Sequence, residues 1–131
     1  MTNLFFVYGT LKRGEGNHRL LGNSKYLGKG ITVTNYNAYH SGFPMICPSD
    51  TGLPMLGEVY TVESAEVVAT LDRLEGNGQF YTRVVRPVKI LDFFEQEVQA
   101  WVYELPDAPR YAATYCPVNQ EHNSYFWSRH P

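Results

Sequence analysis

Residues 4–14 read Leu-Phe-Phe-Val-Tyr-Gly-Thr-Leu-Lys-Arg-Gly, and this stretch carries the strongest prediction about the fold. The run Leu4–Val7 is short and apolar throughout, which is typical of a central β-strand buried on both faces. The run breaks at Gly9, where backbone N–H groups lose their ladder partners and need other acceptors. Because a glycine lets a ligand oxygen approach the backbone, the stretch predicts a pocket for a carboxylate or a polarised carbonyl. Ordinary strand-to-loop connectors share this pattern, so the prediction depends on the rest of the chain.

Several later segments have the composition of strands. They lie at residues 26–39 (one or two strands), 55–62, 81–91 and 98–103. Val98, Ala100 and Val102 alternate with polar or aromatic residues, which predicts a hairpin with the segment before them. Pro87 indicates an edge or a bulge in that preceding segment. Regular spacing of this kind favours an α+β fold built on a closed or nearly closed small barrel.

One clear helix is predicted over Ser64–Glu75, and Gly76 has the residue type that commonly ends a helix. A shorter helical turn is predicted over Asn17–Leu21, with Asn17 as its N-cap. At about 100° per residue, four apolar side chains of the longer helix fall on one stripe, which predicts its buried face. These residues are Val67, Val68, Leu71 and Leu74.

Glu75 falls inside this apolar stripe, where a carboxylate is costly unless it is paired or protonated. It also lies in the last turn, where the helix dipole disfavours negative charge. Both effects raise the pKa of the carboxyl toward the range of a general base. The alternative is a structural glutamate that is bonded to a neighbouring side chain, with Arg83 and Tyr81 as the candidates.

The amino-acid composition disfavours several other classes of function. With 131 residues and 44% hydrophobic residues, the chain is expected to form one folded domain over residues 1–131. A net charge of −2 without a basic tract disfavours nucleic-acid binding. No apolar run is long enough for a membrane span and no signal-like segment opens the chain, so we expect a cytoplasmic protein without membrane contact.

The potential metal ligands are scattered along the chain. Cys47 and Cys116 lie far apart, each before a proline, and neither has a companion at metal-ligand spacing. The four histidines are equally dispersed. We therefore predict no metal site and interpret both cysteines as structural, with Cys47 as a small core residue.

Four blocks of sequence, taken together, resemble the γ-glutamylcyclotransferase-like superfamily. They are most similar to its short γ-glutamylamine cyclotransferase (AIG2-like) branch. The blocks are an N-terminal signature (residues 8–14 with 17–21 soon after), 57–60, 71–76 and 81–83, in the family order. The resemblance covers about residues 4 to 104. It implies a mixed, mostly antiparallel sheet curled into a small barrel, with a few helices packed outside.

The resemblance also implies a reaction in which the α-amine of a γ-glutamyl amine or amide attacks its own γ-carbonyl. The products are 5-oxoproline and a free amine, and the reaction requires no metal or organic cofactor. Glu75 matches the catalytic glutamate of the family, and the substrate-binding loop maps onto Tyr8, Gly9, Thr10 and Leu11. Tyr81 and Arg83 are expected to shape the pocket or orient the glutamate.

The loop composition affects the expected substrate. Its sequence, Gly-Thr-Leu-Lys-Arg-Gly, differs from the loops of glutathione-degrading relatives. A small-molecule γ-glutamyl amine such as γ-glutamyl-ε-lysine is therefore preferred over glutathione. The amine that leaves is not specified by the sequence, and a monomer is the favoured state.

Two other classes remain open. A binding module on the same fold would hold a small ligand without turnover, although a buried carboxylate at a helix end argues against it. An interaction protein would use the aromatic tail within Arg110–Pro131, which has no counterpart in the family blocks. Those aromatic residues would either form a protein-binding patch or cap one end of the barrel. They are Tyr111, Tyr115, Tyr125, Phe126 and Trp127.

Overall fold

The computed structural model describes residues 2–92, 95–109 and 114–129, which form ten strands, one α-helix and one 3₁₀ helix. The strands are β1 (Leu4–Val7), β2 (Lys25–Thr32), β3 (Tyr36–His40), β4 (Pro44–Pro48), β5 (Leu56–Thr61), β6 (Thr82–Ile90), β7 (Gln96–Glu104), β8 (Thr114–Tyr115), β9 (Val118–Asn119) and β10 (Ser124–Tyr125). The α-helix α1 is Ala65–Glu75, and the 3₁₀ helix is His18–Leu21. No helix in the described ranges has the length and apolar character needed to cross a membrane.

Five of the strands close into a barrel in the order β1-β5-β2-β6-β7. Neighbouring strands are antiparallel at every seam except the last, where Phe5 of β1 pairs with Trp101 of β7 in parallel. The predicted fold class, a mixed and mostly antiparallel small barrel with helices outside, is confirmed.

The position of β1 explains why its sequence is apolar without alternation. Phe6 packs in one core cluster with side chains from β5, β6 and β7. Phe5 and Val7 belong to a second cluster, which also contains Leu21 of the 3₁₀ helix and Leu71 of α1. The strand is therefore buried on both faces, between the barrel interior and the helices outside.

The predicted hairpin forms between β6 and β7, with Val84 opposite Val102. Ala100 and Val102 are fully buried, as their alternation predicts. No bulge forms at Pro87, because β6 pairs with β7 without a register shift. The expected edge is present locally, since the β2–β6 pairing begins only at Val88 and Pro87 pairs with β7 alone. The carbonyl of Pro87 accepts the Val33 N–H.

The strand β4 was not predicted, because its sequence Pro-Met-Ile-Cys-Pro begins and ends with proline. It is an outer strand of a small sheet with the order β4-β3-β8, and an outer strand accommodates proline. Met45 and Ile46 are fully buried, whereas Cys47 is partly exposed. Cys47 is therefore not a core residue, contrary to the prediction, while Cys116 is buried.

The helix α1 begins and ends as predicted. The Ser64 hydroxyl accepts the Val67 N–H at 3.2 Å, which caps the helix N-terminus. Gly76 has φ +61°, the left-handed conformation that favours glycine after the last helical residue. Leu71 is fully buried, but Leu74 is 40% exposed, so the buried stripe is narrower than predicted.

The aromatic tail is only partly described, since Tyr111 and the other residues of 110–113 lie outside the described ranges. Trp127 is buried in the core cluster that contains Phe6, and Lys12 donates to its carbonyl. Tyr125 donates its N–H to the carbonyl of Pro54 at 2.9 Å. Trp127 and Tyr125 thus pack against the barrel, as the capping interpretation expects, whereas Tyr115 is 57% exposed.

Candidate active site

A pocket of about 320 Å³ opens where the end of β1, the C-terminus of α1 and the β3–β4 loop meet. Six predicted site residues line it, and Arg83 is the one that does not. The six are Tyr8, Gly9, Thr10, Leu11, Glu75 and Tyr81. The fold thus brings together a loop and a helix end that are separated by about half of the chain.

The loop after β1 presents free backbone donors to this pocket. Among the hydrogen bonds of the described residues, none is donated by the backbone N–H of Gly9, Thr10 or Leu11. Such groups need an acceptor, and a ligand carboxylate or carbonyl oxygen in the pocket would supply it.

Contacts on the far side of the loop hold these donors in place. The Lys12 N–H donates to the Gly9 carbonyl at 3.0 Å, and the Arg13 N–H donates to Glu58 Oε1 at 2.9 Å. His18 Nδ1 lies 2.9 Å from the carbonyl of Leu11. Donors fixed in this way need little reorganisation when a ligand binds.

Asn17 also holds the loop, a role that was not predicted in addition to its N-cap position. Its side chain makes no capping bond to the 3₁₀ helix. Its Nδ2 donates to the Thr10 hydroxyl at 3.0 Å, and its N–H donates to the Thr10 carbonyl at 2.9 Å. Asn17 is thus the N-cap residue of the 3₁₀ helix, as predicted, but its side chain reaches back to the loop instead of capping the helix.

Gly9 is needed for packing against the pocket wall. A Cβ on Gly9 would lie 2.7 Å from Cγ of Pro44, well inside a normal contact distance. The carbonyl of Pro44 in turn accepts the Tyr81 hydroxyl. The missing side chain thus makes room for a protein wall, and that wall lies beside the free N–H groups.

Glu75 is the last residue of α1, and its partly buried carboxyl lines the pocket. No hydrogen bond or ion pair in the described part of the chain involves this carboxyl. Burial raises its pKa from 4.5 to about 7. A carboxylate with such a pKa accepts a proton readily near neutral pH.

Arg83, the predicted alternative partner of Glu75, pairs with Asp72 instead. Its Nε lies 3.0 Å from Asp72 Oδ1, and its guanidinium stacks over the Trp101 ring at 4.1 Å. The Tyr103 hydroxyl donates to the same Asp72 oxygen at 2.6 Å. Arg83 is therefore occupied outside the pocket, and Tyr81 is bonded to Pro44.

Several lining residues were missed by the sequence reasoning. They are Asn17, Phe43, Pro44, Phe80 and Tyr103. Four of them sit in loops or strands whose position depends on how β3, β4 and β7 pair, and no local pattern encodes that pairing. Asn17 lies in a block that carries the family resemblance, which was the available signal.

The chain is similar to several known proteins. A family model described as "Gamma-glutamyl cyclotransferase, AIG2-like" matches residues 5–126. The chain is 36% identical over 104 residues to a Methanocaldococcus jannaschii protein provisionally named a gamma-glutamylcyclotransferase, covering 79% of this chain and 84% of the relative. It is 30% identical over 133 residues to the gamma-glutamylaminecyclotransferase of Rattus norvegicus, covering 86% of this chain and 79% of the relative.

The fold has a counterpart among solved structures. The crystal structure of an AIG2-like protein from Mus musculus superposes with a TM-score of 0.72 at 26% identity, covering 97% of each chain.

Proposed function

The chain belongs to the gamma-glutamyl cyclotransferase, AIG2-like family, and we propose that its pocket converts a γ-glutamyl amine into 5-oxoproline and the free amine. It is an enzyme of the γ-glutamylcyclotransferase type. The observation that carries the proposal is the joint placement of the free loop N–H groups and the unpaired Glu75 carboxyl in one pocket.

The reaction needs a base before any bond forms, because the α-ammonium of the substrate is not nucleophilic. We assign Glu75 as the group that takes this proton, since burial raises its pKa to about 7 and no cation holds it ionised. The freed amine then attacks the γ-carbonyl carbon. The proton on Glu75 passes to the leaving nitrogen as the old amide bond breaks, which restores the carboxylate. The α-nitrogen loses a second proton as the lactam forms, and this proton passes through Glu75 to the departing amine, which leaves as an ammonium ion.

Ring closure places negative charge on the γ-oxygen, and the loop supports that charge. We assign the backbone N–H groups of Gly9, Thr10 and Leu11 as hydrogen-bond donors to the γ-oxygen. The same group of donors also binds the carboxylate of the glutamyl part. Tyr8 forms the adjoining wall, and its hydroxyl donates to the Tyr103 carbonyl. Holding the flexible glutamyl chain curled against this loop also lowers the entropic cost of cyclisation.

Tyr81 and Arg83 serve as positioning residues in this proposal. The Tyr81 hydroxyl donates to the Pro44 carbonyl and so stabilises the pocket wall beside the loop. Arg83 acts through Asp72, which lies on α1 three residues before Glu75. The pair fixes the last turn of the helix on the barrel without approaching the reacting atoms.

A γ-glutamyl amine is preferred over glutathione as the substrate. The loop composition supports this choice, and one relative carries the name gamma-glutamylaminecyclotransferase. The reaction moves two protons from the α-nitrogen to the leaving amine and exchanges one amide bond for another, so its chemistry requires no oxidant, reductant or metal.

The test is incubation of the purified protein with γ-glutamyl amines, γ-glutamyl dipeptides and glutathione, followed by detection of 5-oxoproline. We expect 5-oxoproline and free amine in equal amounts from the γ-glutamyl amines. A ligand that binds and is recovered unchanged would instead support the binding module. Absence of both binding and turnover across the panel would contradict the proposed function.

A further inference from the structure

Lys12 connects the loop after β1 to a distant part of the chain. It does not line the pocket, and its ammonium donates a hydrogen bond to the backbone carbonyl of Trp127, 115 residues further along the chain. Lys12 is partly buried, which is unusual for a lysine unless its charge has a partner. A second contact lies nearby, since a Cβ on Gly16 would be 3.8 Å from Nη1 of Arg129. The loop is therefore linked to residues 124–129, which we call the C-terminal segment.

The C-terminal segment is itself fixed on the barrel. The Trp127 side chain is 5% exposed and belongs to a core cluster. The Tyr125 N–H donates to the Pro54 carbonyl at 2.9 Å. The Phe126 N–H donates to the Pro117 carbonyl at 3.0 Å. The carbonyl that accepts the ammonium therefore has a defined position and can hold the loop in place.

Neighbouring acids favour the charged form of Lys12. Burial lowers the pKa of this ammonium, whereas the carboxylates of Glu58 and Glu15 raise it. A hydrogen bond from a charged donor is stronger than one between two neutral groups. The link to the Trp127 carbonyl is therefore among the stronger contacts of the loop.

The loop needs such an anchor because the ladder between β1 and β5 ends at Val7, before the free N–H groups of residues 9–11. Asn17 and His18 also contact the loop, but each lies only seven residues from its partner, so these contacts can move together with the loop. Lys12 instead fastens the downstream end of the loop to a separate part of the fold.

We propose that Lys12 is a positioning residue for the reaction, and that it acts by fastening the loop donors to the C-terminal segment. This inference rests on the proposed function, because it requires that the donors support the γ-oxygen. Negative charge on that oxygen develops only during ring closure, so displaced donors cost more in kcat than in KM. None of residues 124–129 lines the pocket, so the segment contributes to turnover without contacting the substrate.

The first test is the steady-state kinetics of Lys12→Met, which keeps an apolar stem and removes the ammonium. We expect kcat to fall about 10-fold, KM to change less than about 3-fold, and the acid limb of the pH profile to stay in place because Glu75 is untouched. Lys89→Met is the matched control and should be neutral, because Lys89 is exposed on β6 and does not line the pocket. Turnover of Lys12→Met within about 2-fold of wild type would overturn the inference.

The role of the C-terminal segment is tested by a double-mutant cycle with Trp127→Leu, which leaves space in the core and shifts the carbonyl. Each single variant should lower kcat, and the double variant should be no more than about 3-fold worse than the poorer single one, because both remove the same contact. Losses that simply multiply would overturn the link. Circular dichroism checks folding, and Trp127→Phe replaces Trp127→Leu in the cycle if the latter does not fold.

Loop order is measured without any turnover, by ¹⁵N relaxation of the amides of Gly9, Thr10 and Leu11. Order parameters should be about 0.85 in wild type and in Lys89→Met, and should fall toward about 0.6 in Lys12→Met. Unchanged order parameters in Lys12→Met would overturn the inference. Loop order that depends on Lys12 in a protein that forms no 5-oxoproline would contradict the proposed function alone, whereas normal turnover of Lys12→Met would contradict the positioning role alone.

Discussion

Asp72 and Glu75 lie three residues apart in the last turn of α1, yet their surroundings differ completely. Asp72 accepts hydrogen bonds from Arg83 and from the Tyr103 hydroxyl, outside the pocket. Glu75 lines the pocket without a cation, and burial raises its pKa to about 7. Two carboxylates on one helical turn can thus be a structural anchor and a candidate base. The difference is set by where one arginine binds.

A second buried carboxylate supports this interpretation. Glu104, which is 4% exposed, accepts two bonds of 2.8 Å from Arg86 and a further one from the Tyr36 hydroxyl. Burial is thus compensated by an arginine at Glu104 and at Asp72, but not at Glu75. A buried acid without such compensation commonly marks a functional site.

The largest effect is expected from removing the base. Glu75→Gln keeps the shape of the side chain but cannot accept the proton, so kcat should fall about 10²- to 10⁴-fold. Steady-state kinetics with 5-oxoproline detection measures this, with circular dichroism to confirm folding. Glu66→Gln, an exposed substitution on the same helix, is the control and should be neutral. Near-native turnover of Glu75→Gln would show that another group takes the proton.

The contact between Gly9 and Pro44 in the pocket wall can be disrupted without changing Asp72 or Glu75. Gly9→Val should lower kcat/KM about 10²-fold, because its side chain collides with Pro44 and displaces the loop donors. Thr10→Ala should cost about 3- to 10-fold, since it removes only the acceptor of the Asn17 bond. If both variants lost activity equally, the Thr10 hydroxyl rather than the backbone would be the main donor.

The variant Asp72→Asn removes the ion pair that holds Arg83 away from Glu75. A freed guanidinium can turn toward Glu75 and would lower the pKa of that carboxyl, which should move the acid limb of kcat/KM to lower pH. Turnover near neutral pH should fall about 10-fold as the base weakens. The pH profile of the double variant Asp72→Asn/Arg83→Leu is the control and should return toward the wild-type limb. Unchanged limbs in both variants would mean that Asp72 only stabilises the fold.

The barrel and α1 could be predicted because their signals are local: alternation in β7, an unbroken apolar run in β1, and caps at Ser64 and Gly76. The candidate loop and Glu75 could be predicted for the same reason, with the family blocks adding their roles. The partner of Arg83 could not be predicted. Asp72 and Glu75 lie about one helical turn apart, and helical periodicity does not show which of the two carboxylates faces Arg83 on β6. Phe43 and Phe80 were missed as lining residues, because their rings meet only after two distant turns are packed.

The free energy of unfolding should also depend on the unpaired state of Glu75, with a smaller effect than that on activity. The pKa of Glu75 is about 7 in the folded protein and near 4.5 when unfolded, so the folded state binds the extra proton between these values. The stabilisation is complete below pH 4.5 and is lost as the pH rises through about 7. Relative to wild type, Glu75→Gln should therefore be more stable at pH 8 than at pH 4.5, with a free energy of unfolding that gains about 1–3 kcal/mol on the wild-type value between the two pH values. Urea titrations at the two pH values measure this, and a pH-independent difference would contradict it.

The most direct test of the central claim is a ¹³C NMR titration of the Glu75 side-chain carboxyl in the free enzyme, assigned by comparison with Glu75→Gln. An unpaired, buried base should titrate with a pKa of about 7, and the acid limb of kcat/KM should share that midpoint. A midpoint at or below the ordinary value of 4.5 would show that a cation holds Glu75 ionised in solution, and would contradict the separation of the two carboxylates on which the account depends.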